Sequence, residues 1–121
     1  LLAEAIARGS EQESYELLDA ALQHHRAALV ADPTHELAFE RCRRLLSQRI
    51  DLPNLELLLR GRLEAVQGEM RGPILTALAR VYGAMGSYDQ AKHVYAEASQ
   101  LAPQDEALRR EYEALLRRAN D

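Results

Sequence analysis

The stretch YGAMGSYDQAKHVY, residues 82–95, is where the sequence declares its architecture. Gly86 and Ser87 interrupt two segments in which small and aromatic residues recur at three- and four-residue steps, the spacing of one helix face. Gly86 suits the left-handed residue that follows a helix end, and Ser87-Tyr88-Asp89-Gln90 has the form of a capping box that opens the next helix. The stretch therefore predicts a helix, a tight bend and a second helix folded back on the first. Ala79, Ala91 and Ala98 are small enough to let the two approach closely, while Tyr82, Tyr88 and Tyr95 fill the space between them.

Working outward, the same punctuation repeats. Pro73, suited to a first helical turn, predicts a helix over about 73–85. The helix opened at Ser87 runs to about Leu101, where Pro103 closes it, and a final helix over about 105–119 carries Leu108, Tyr112, Leu115 and Leu116 on one face. Upstream, Ser10-Glu11-Gln12-Glu13 is another capping-box form, followed by Tyr15, Leu18, Leu22, His25 and Leu29 as one stripe that stops at Asp32-Pro33. A short helix over 2–8, ending at Gly9, is expected before it. Phe39, Cys42, Leu45 and Leu46 mark a helix over 36–48. After Asp51-Leu52-Pro53, a further helix carries Leu55, Leu58, Leu59, Leu63 and Val66 until Gly68. About seven helices joined by short turns leave no place for a sheet.

Composition agrees. The chain has 121 residues, enough for one compact domain, and 47% of them are hydrophobic, yet there is one Phe and no Trp. Its core must come from Leu, Ala, Val and Tyr. A formal charge of −4 gives no overall attraction to nucleic acid, and no stretch approaches the roughly 20 apolar residues of a membrane span. Only residues 41–62 are basic, through Arg41, Arg43, Arg44, Arg49, Arg60 and Arg62, which makes them a candidate surface for an acidic partner. The single Cys42 excludes an internal disulfide. With no initiating Met and no leader, the sequence is expected to be a fragment of a longer protein. Fourteen Arg against one Lys hint at a GC-rich bacterial source.

Self-similarity sharpens the picture. Asp19, Ala21, Ala28 and Pro33 recur seventy positions later as Asp89, Ala91, Ala98 and Pro103, which is two periods of about 35. Residues 72–103 resemble the tetratricopeptide repeat, a helix–turn–helix unit of about 34 residues. Leu75, Leu78-Ala79 and Tyr82 fall where the family has Trp, Leu-Gly and Tyr, followed by Gly86, Tyr88, Ala91, Tyr95, Ala98 and Pro103. Residues 13–33 and 36–71 match less closely; in the middle unit Arg43 takes the place of the small residue and about two residues are inserted near 50–53. The resemblance implies an all-α, right-handed array of helical hairpins, with units at about 1–35, 36–71 and 72–105 and a charged capping helix at 105–119.

Nothing in the sequence assembles a reaction centre. His24, His25, His35 and His93 do not provide the four or so ligands of a structural zinc site, and His93 with Glu97 is at most a pair. His25 and Cys42 lie on apolar stripes and are expected to pack rather than react. No glycine-rich phosphate loop and no nucleophile–base–acid order is present. The expectation is therefore no enzyme, no metal and no cofactor.

What the resemblance implies instead is binding. First helices of successive repeats line a concave surface, on which Glu40, Arg44, Ser47 and Gln48 of the middle unit and Thr76, Arg80, Gly83 and Ala84 of the third would be exposed. Of these, Arg44 and Arg80 are the candidate contacts to a partner. The family's clamp for the C-terminal carboxylate of heat-shock chaperones is not expected, because Thr76 stands where a cation is wanted and Ser47 where Asn is. The leading expectation is a module that binds a peptide or helix of a partner protein. Its alternative is a structural segment that self-associates through the edge carrying Leu1, Leu2 and Ile6.

Overall fold

The structure, a computed structural model, describes the backbone of residues 2–120; the side chains of residues 1–15, Leu18 and Asp121 lie outside the description. Six α-helices and one short 3-10 turn follow in order: α1 (Leu2–Ala31), α2 (Glu36–Gln48), α3 (Leu52–Ala65), the 3-10 turn Gly68–Met70, α4 (Arg71–Ala84), α5 (Tyr88–Leu101) and α6 (Glu106–Ala119). Among the described residues there is no strand. The chain divides into two compact units, residues 1–45 and 46–121, so that the last turn of α2 belongs to the second.

Two boundaries differ from expectation: α4 begins at Arg71, before the expected start at Pro73, and the larger difference lies in the first helix. The helix expected to end at Gly9 continues through it, and α1 is uninterrupted from Leu2 to Ala31. A glycine inside a helix costs about 1 kcal/mol relative to alanine but keeps its N–H, whereas proline removes the N–H and clashes with the preceding turn. Gly9 weakens the helix without ending it. The capping-box side chains of Ser10 and Glu13, and the Leu1, Leu2 and Ile6 side chains of the expected edge, lie outside the described residues.

In the first unit Leu22 of the expected α1 stripe is buried and His25 and Leu29 are half-buried, while the Tyr15 and Leu18 side chains lie outside the described residues. Leu22, Ala38, Phe39 and Cys42 are buried, and burial raises the Cys42 thiol above its ordinary value, with Arg26 opposing. Cys42 thus behaves as a small hydrophobe. His25 is half-buried; burial, followed by the fields of Arg41, His24 and His35, holds its pKa below the usual imidazole value.

In the second unit α3 packs on α4, α4 on α5 and α5 on α6. The expected small residues are where the helices meet: Ala79, Ala91 and Ala98 are buried, with Tyr82 and Tyr95 buried beside them. Leu46, Leu55, Leu59, Leu75, Leu78, Leu108 and Leu115 complete the core. Tyr82 Oη donates to Glu56 Oε1 at 3.1 Å, tying α4 to α3, and burial together with that carboxylate raises the phenol's pKa. Arg71 Nη1 donates to the carbonyl of Leu63 at 2.8 Å, satisfying one of the free acceptors at the end of α3.

The repeat is visible in individual hydrogen bonds. Before α2, Asp32 N–H donates to Ala28 O at 2.9 Å, His35 N–H to Asp32 O at 3.1 Å, and Phe39 N–H to His35 O at 3.1 Å. Seventy residues later the same three bonds join Ala102 to Ala98 (3.1 Å), Asp105 to Ala102 (3.1 Å) and Arg109 to Asp105 (3.2 Å).

A second pair of matched turns ends α2 and α4. Ile50 and Asp51 donate to Ser47 O and Leu46 O, as Gly86 and Ser87 donate to Gly83 O and Tyr82 O. Both are Schellman ends, with the left-handed residue at Ile50 (φ 53°) and Gly86 (φ 78°). The two left-handed residues lie 36 positions apart. Ser87 does occupy the start of α5, but its hydroxyl makes no capping bond, so the Ser-x-x-Gln pattern located the helix without supplying the expected chemistry.

Ile50 is the costlier occupant of its turn. A β-branched residue in the left-handed region is strained by about 1–2 kcal/mol, and with 75% of Ile50 exposed little packing offsets this. Ile50→Gly is expected to raise stability by about 1 kcal/mol after the extra chain entropy of glycine is counted. A urea midpoint unchanged or lowered in the variant would contradict the assignment.

Candidate functional site

Between α4 and α6, with α5 behind, lies a cleft of about 400 Å³. Its lining follows from position. Arg80, Gly83 and Ala84 come from the last turns of α4; Glu111, Ala114, Leu115 and Arg118 come from α6; Tyr95 reaches in from α5. Gly83 packs under Leu115: a methyl placed there would meet Leu115 Cδ1 at 3.5 Å, an ordinary van der Waals contact. Ala84 and Ala114 are exposed, and so small that the wall between the charged rims stays open. Tyr95 is held in place by stacking on Tyr112, with ring centroids 5.7 Å apart and planes 11° from parallel. Burial pushes its phenol pKa up, aided by Glu111.

One rim of the cleft is a fork-to-fork ion pair. Arg80 Nε donates to Glu111 Oε1 at 2.7 Å and Nη2 to Oε2 at 2.9 Å. This bonding raises the guanidinium pKa and lowers that of the Glu111 carboxyl. Arg80 is 58% exposed, so solvent screens the pair and its worth is about 0.5–1 kcal/mol. Because the Glu111 pKa is lowered, that contribution is present above the ordinary value of 4.5 and is lost as pH falls through the depressed one. Glu111→Gln is accordingly expected to cost up to about 1 kcal/mol at neutral pH. The difference from the parent should vanish on acidification, as chemical denaturation at several pH values will show. Arg118 lies over the Tyr88 ring at 5.8 Å, a cation–π contact at the far rim.

The other expected positions are distributed over both units. Glu40 and Arg44 are exposed on the part of α2 in the first unit, where Glu40 faces Arg43 at 3.9 Å. Ser47 and Gln48 are exposed on its last turn, in the second unit. Thr76 is half-buried and its hydroxyl donates to Gly72 O at 3.1 Å, back along its own helix. The basic block is not uniformly a surface: Arg62 is buried, and Arg60 pairs with Glu56 at 3.4 Å.

His93 and Glu97 meet directly at 3.3 Å as an exposed pair. Among the described residues no group of three or more His, Cys, Asp or Glu is placed to hold a metal ion. No described helix is long and apolar enough to cross a membrane.

Sequence reasoning located the α4 side of the cleft and missed the α6 side. The signal was available. Ala114, Leu115 and Arg118 lie 34 positions after Arg80, Val81 and Ala84, so carrying the first-helix register into the last helix would have named them.

The structure superimposes on the crystal structure of a thermophilic TPR protein of Thermus thermophilus with a TM-score of 0.66 and 26% identity. The chain has a tetratricopeptide-like fold. The match covers 87% of this chain and 53% of the other, so this tetratricopeptide-like chain spans about half the length of the bacterial protein. No protein-family model and no curated protein matches the sequence. α6 buries Leu108 and Leu115 and turns Arg109, Arg110, Glu113 and Arg117 to solvent.

Proposed function

We propose that the chain is a protein-interaction module that binds a peptide or helix of a partner protein along its first-helix surface and has no reaction of its own. The observation that carries this reading is the cleft between α4 and α6, floored by Gly83, Ala84 and Ala114 and rimmed by Arg80, Glu111 and Arg118. Small residues leave room for a partner's side chains, and charges at the rim orient them. The likeness to a TPR protein supports the same class, because stacked hairpins of this kind present extended concave surfaces. Glu40, Arg44, Ser47, Gln48 and Thr76 are proposed as further contacts, with Arg44 favouring an acidic segment. No nucleic acid, cofactor or membrane insertion enters the proposal.

The test is a peptide-display selection against the whole chain, followed by affinity measurement on Ala114→Trp. Residue 114 is exposed, so the indole fills the cleft without entering the core. Selected peptides should lose about tenfold or more in affinity for the variant. Equal affinity would move the interface elsewhere.

A second reading, self-association, is favoured by one observation. In the first unit Leu17, Val30 and Leu37 are 72%, 85% and 57% exposed, apolar surface that a second copy would cover. Sedimentation equilibrium showing a concentration-independent monomer would remove it.

A further inference from the structure

The turns before α2 and α6 share their backbone bonds but differ in the group that caps the following helix. Asp105 Oδ1 accepts from Leu108 N–H at 3.0 Å, whereas in the matching position His35 Nδ1 accepts from Ala38 N–H at 3.1 Å. A carboxylate is an acceptor throughout the neutral and mildly acidic range. An imidazole nitrogen accepts only while unprotonated. A proton on Nδ1 turns the acceptor into a donor facing a donor. It also sets a positive charge at the N-terminus of a helix, where the macrodipole opposes it.

The neighbourhood adds to the effect. His24 and His25 on α1 meet edge to face, with centroids 5.5 Å apart. His25 lies within the fields of His24, His35 and, from α2, Arg41. Protonation of this group would gather several like charges about one helix–helix turn. The acids of the turn are Asp32 and Glu36. Asp32 Oδ1 accepts from Thr34 N–H at 3.0 Å and from Thr34 Oγ1–H at 2.6 Å, within the turn itself.

We propose that the α1–α2 turn is a proton-sensitive joint, in which proton uptake by His35 uncaps α2 while the matched α5–α6 turn, capped by Asp105, stays closed. The two turns act as experiment and control within one molecule.

The test is an amide NMR titration of the whole chain from about pH 7.5 to about pH 5, the range in which histidine changes charge. Exchange is expressed relative to the intrinsic rate at each pH. Protection of Ala38 N–H is expected to fall about tenfold, the loss of one helix cap, while that of Leu108 N–H holds. His35→Asp, which copies the cap of the other turn, should abolish the fall at Ala38, and His25→Gln should leave it in place.

Undiminished protection at Ala38 would overturn the proposal. An equal fall in His35→Asp would do the same, as would loss at Leu108 in step with Ala38, which is the mark of global unfolding. Disappearance of the effect in His25→Gln would transfer the sensitivity to His25 and reject His35 as the switch.

Discussion

Replacing Ala91 by Leu is expected to lower the unfolding free energy by about 3 kcal/mol, the upper part of the range for overpacking a closed core. The melting temperature should fall by roughly 10 °C for a chain of this length. Ala91 has 0% of its surface exposed and sits on α5, which packs against both α4 and α6. Three added carbons have no void to enter, so α5 must move away from a neighbour or the new side chain must leave its rotamer well.

The control is Ala114→Leu, the same substitution at an exposed position of α6, which should change the melting temperature by less than about 2 °C. A thermal melt followed by circular dichroism distinguishes the two. If Ala91→Leu melts with the parent, the close approach inferred from the alanine pattern is not what packs these helices.

The second large effect is expected at Leu59→Ala. Leu59 is 1% exposed on α3, whereas Leu57, on the same helix, is 62% exposed. Truncating a buried leucine removes transfer free energy and leaves a cavity, together about 2–5 kcal/mol. At Leu57 neither term applies, and alanine's slightly higher helix propensity makes the change nearly neutral, within about 0.5 kcal/mol. Urea unfolding should therefore show a large drop in midpoint for Leu59→Ala, a negligible one for Leu57→Ala, and the same slope for both. Comparable drops would mean that α3 presents a different face to α4. A total stability of the order of 10 kcal/mol for a domain of this size makes either the Ala91 or the Leu59 effect a substantial fraction of the whole.

These two positions show how far the sequence could be read. Ala79, Ala91 and Ala98 could be identified as contact residues because close helix packing admits only small side chains, and a seventy-residue repetition marked two of them. Leu59 followed from helical periodicity. Gly86 followed from the backbone, since a left-handed residue at a helix end favours glycine. Its counterpart Ile50 could not be found that way. There the turn geometry overrides the residue's own preference, and only the bonds to Ser47 and Leu46 reveal the equivalence.

Gly9 failed in the opposite direction. A residue type that often stops helices was read as a stop, although the small propensity cost of one glycine does not end a helix by itself. Ser87 had the right position but not the expected hydroxyl bond, because a helix start is set by backbone dihedrals as well as by the side chain available to cap it.

By itself the sequence determined the helix class, the stops at Asp32-Pro33, Gly86 and Pro103, most of the buried faces and the repetition that points to a tetratricopeptide-like fold. These depend on short-range periodicity and local backbone preference, which neighbouring residues carry among themselves. The tertiary structure alone decided that Arg80 is engaged by Glu111, that Tyr95 and Leu115 help line the cleft, and that His35 Nδ1 accepts from the Ala38 amide. Such relations join groups from different helices, or depend on which acceptor meets an amide once a turn has closed. Residue type reports what a side chain can bond, while the packing of helices chooses its partner.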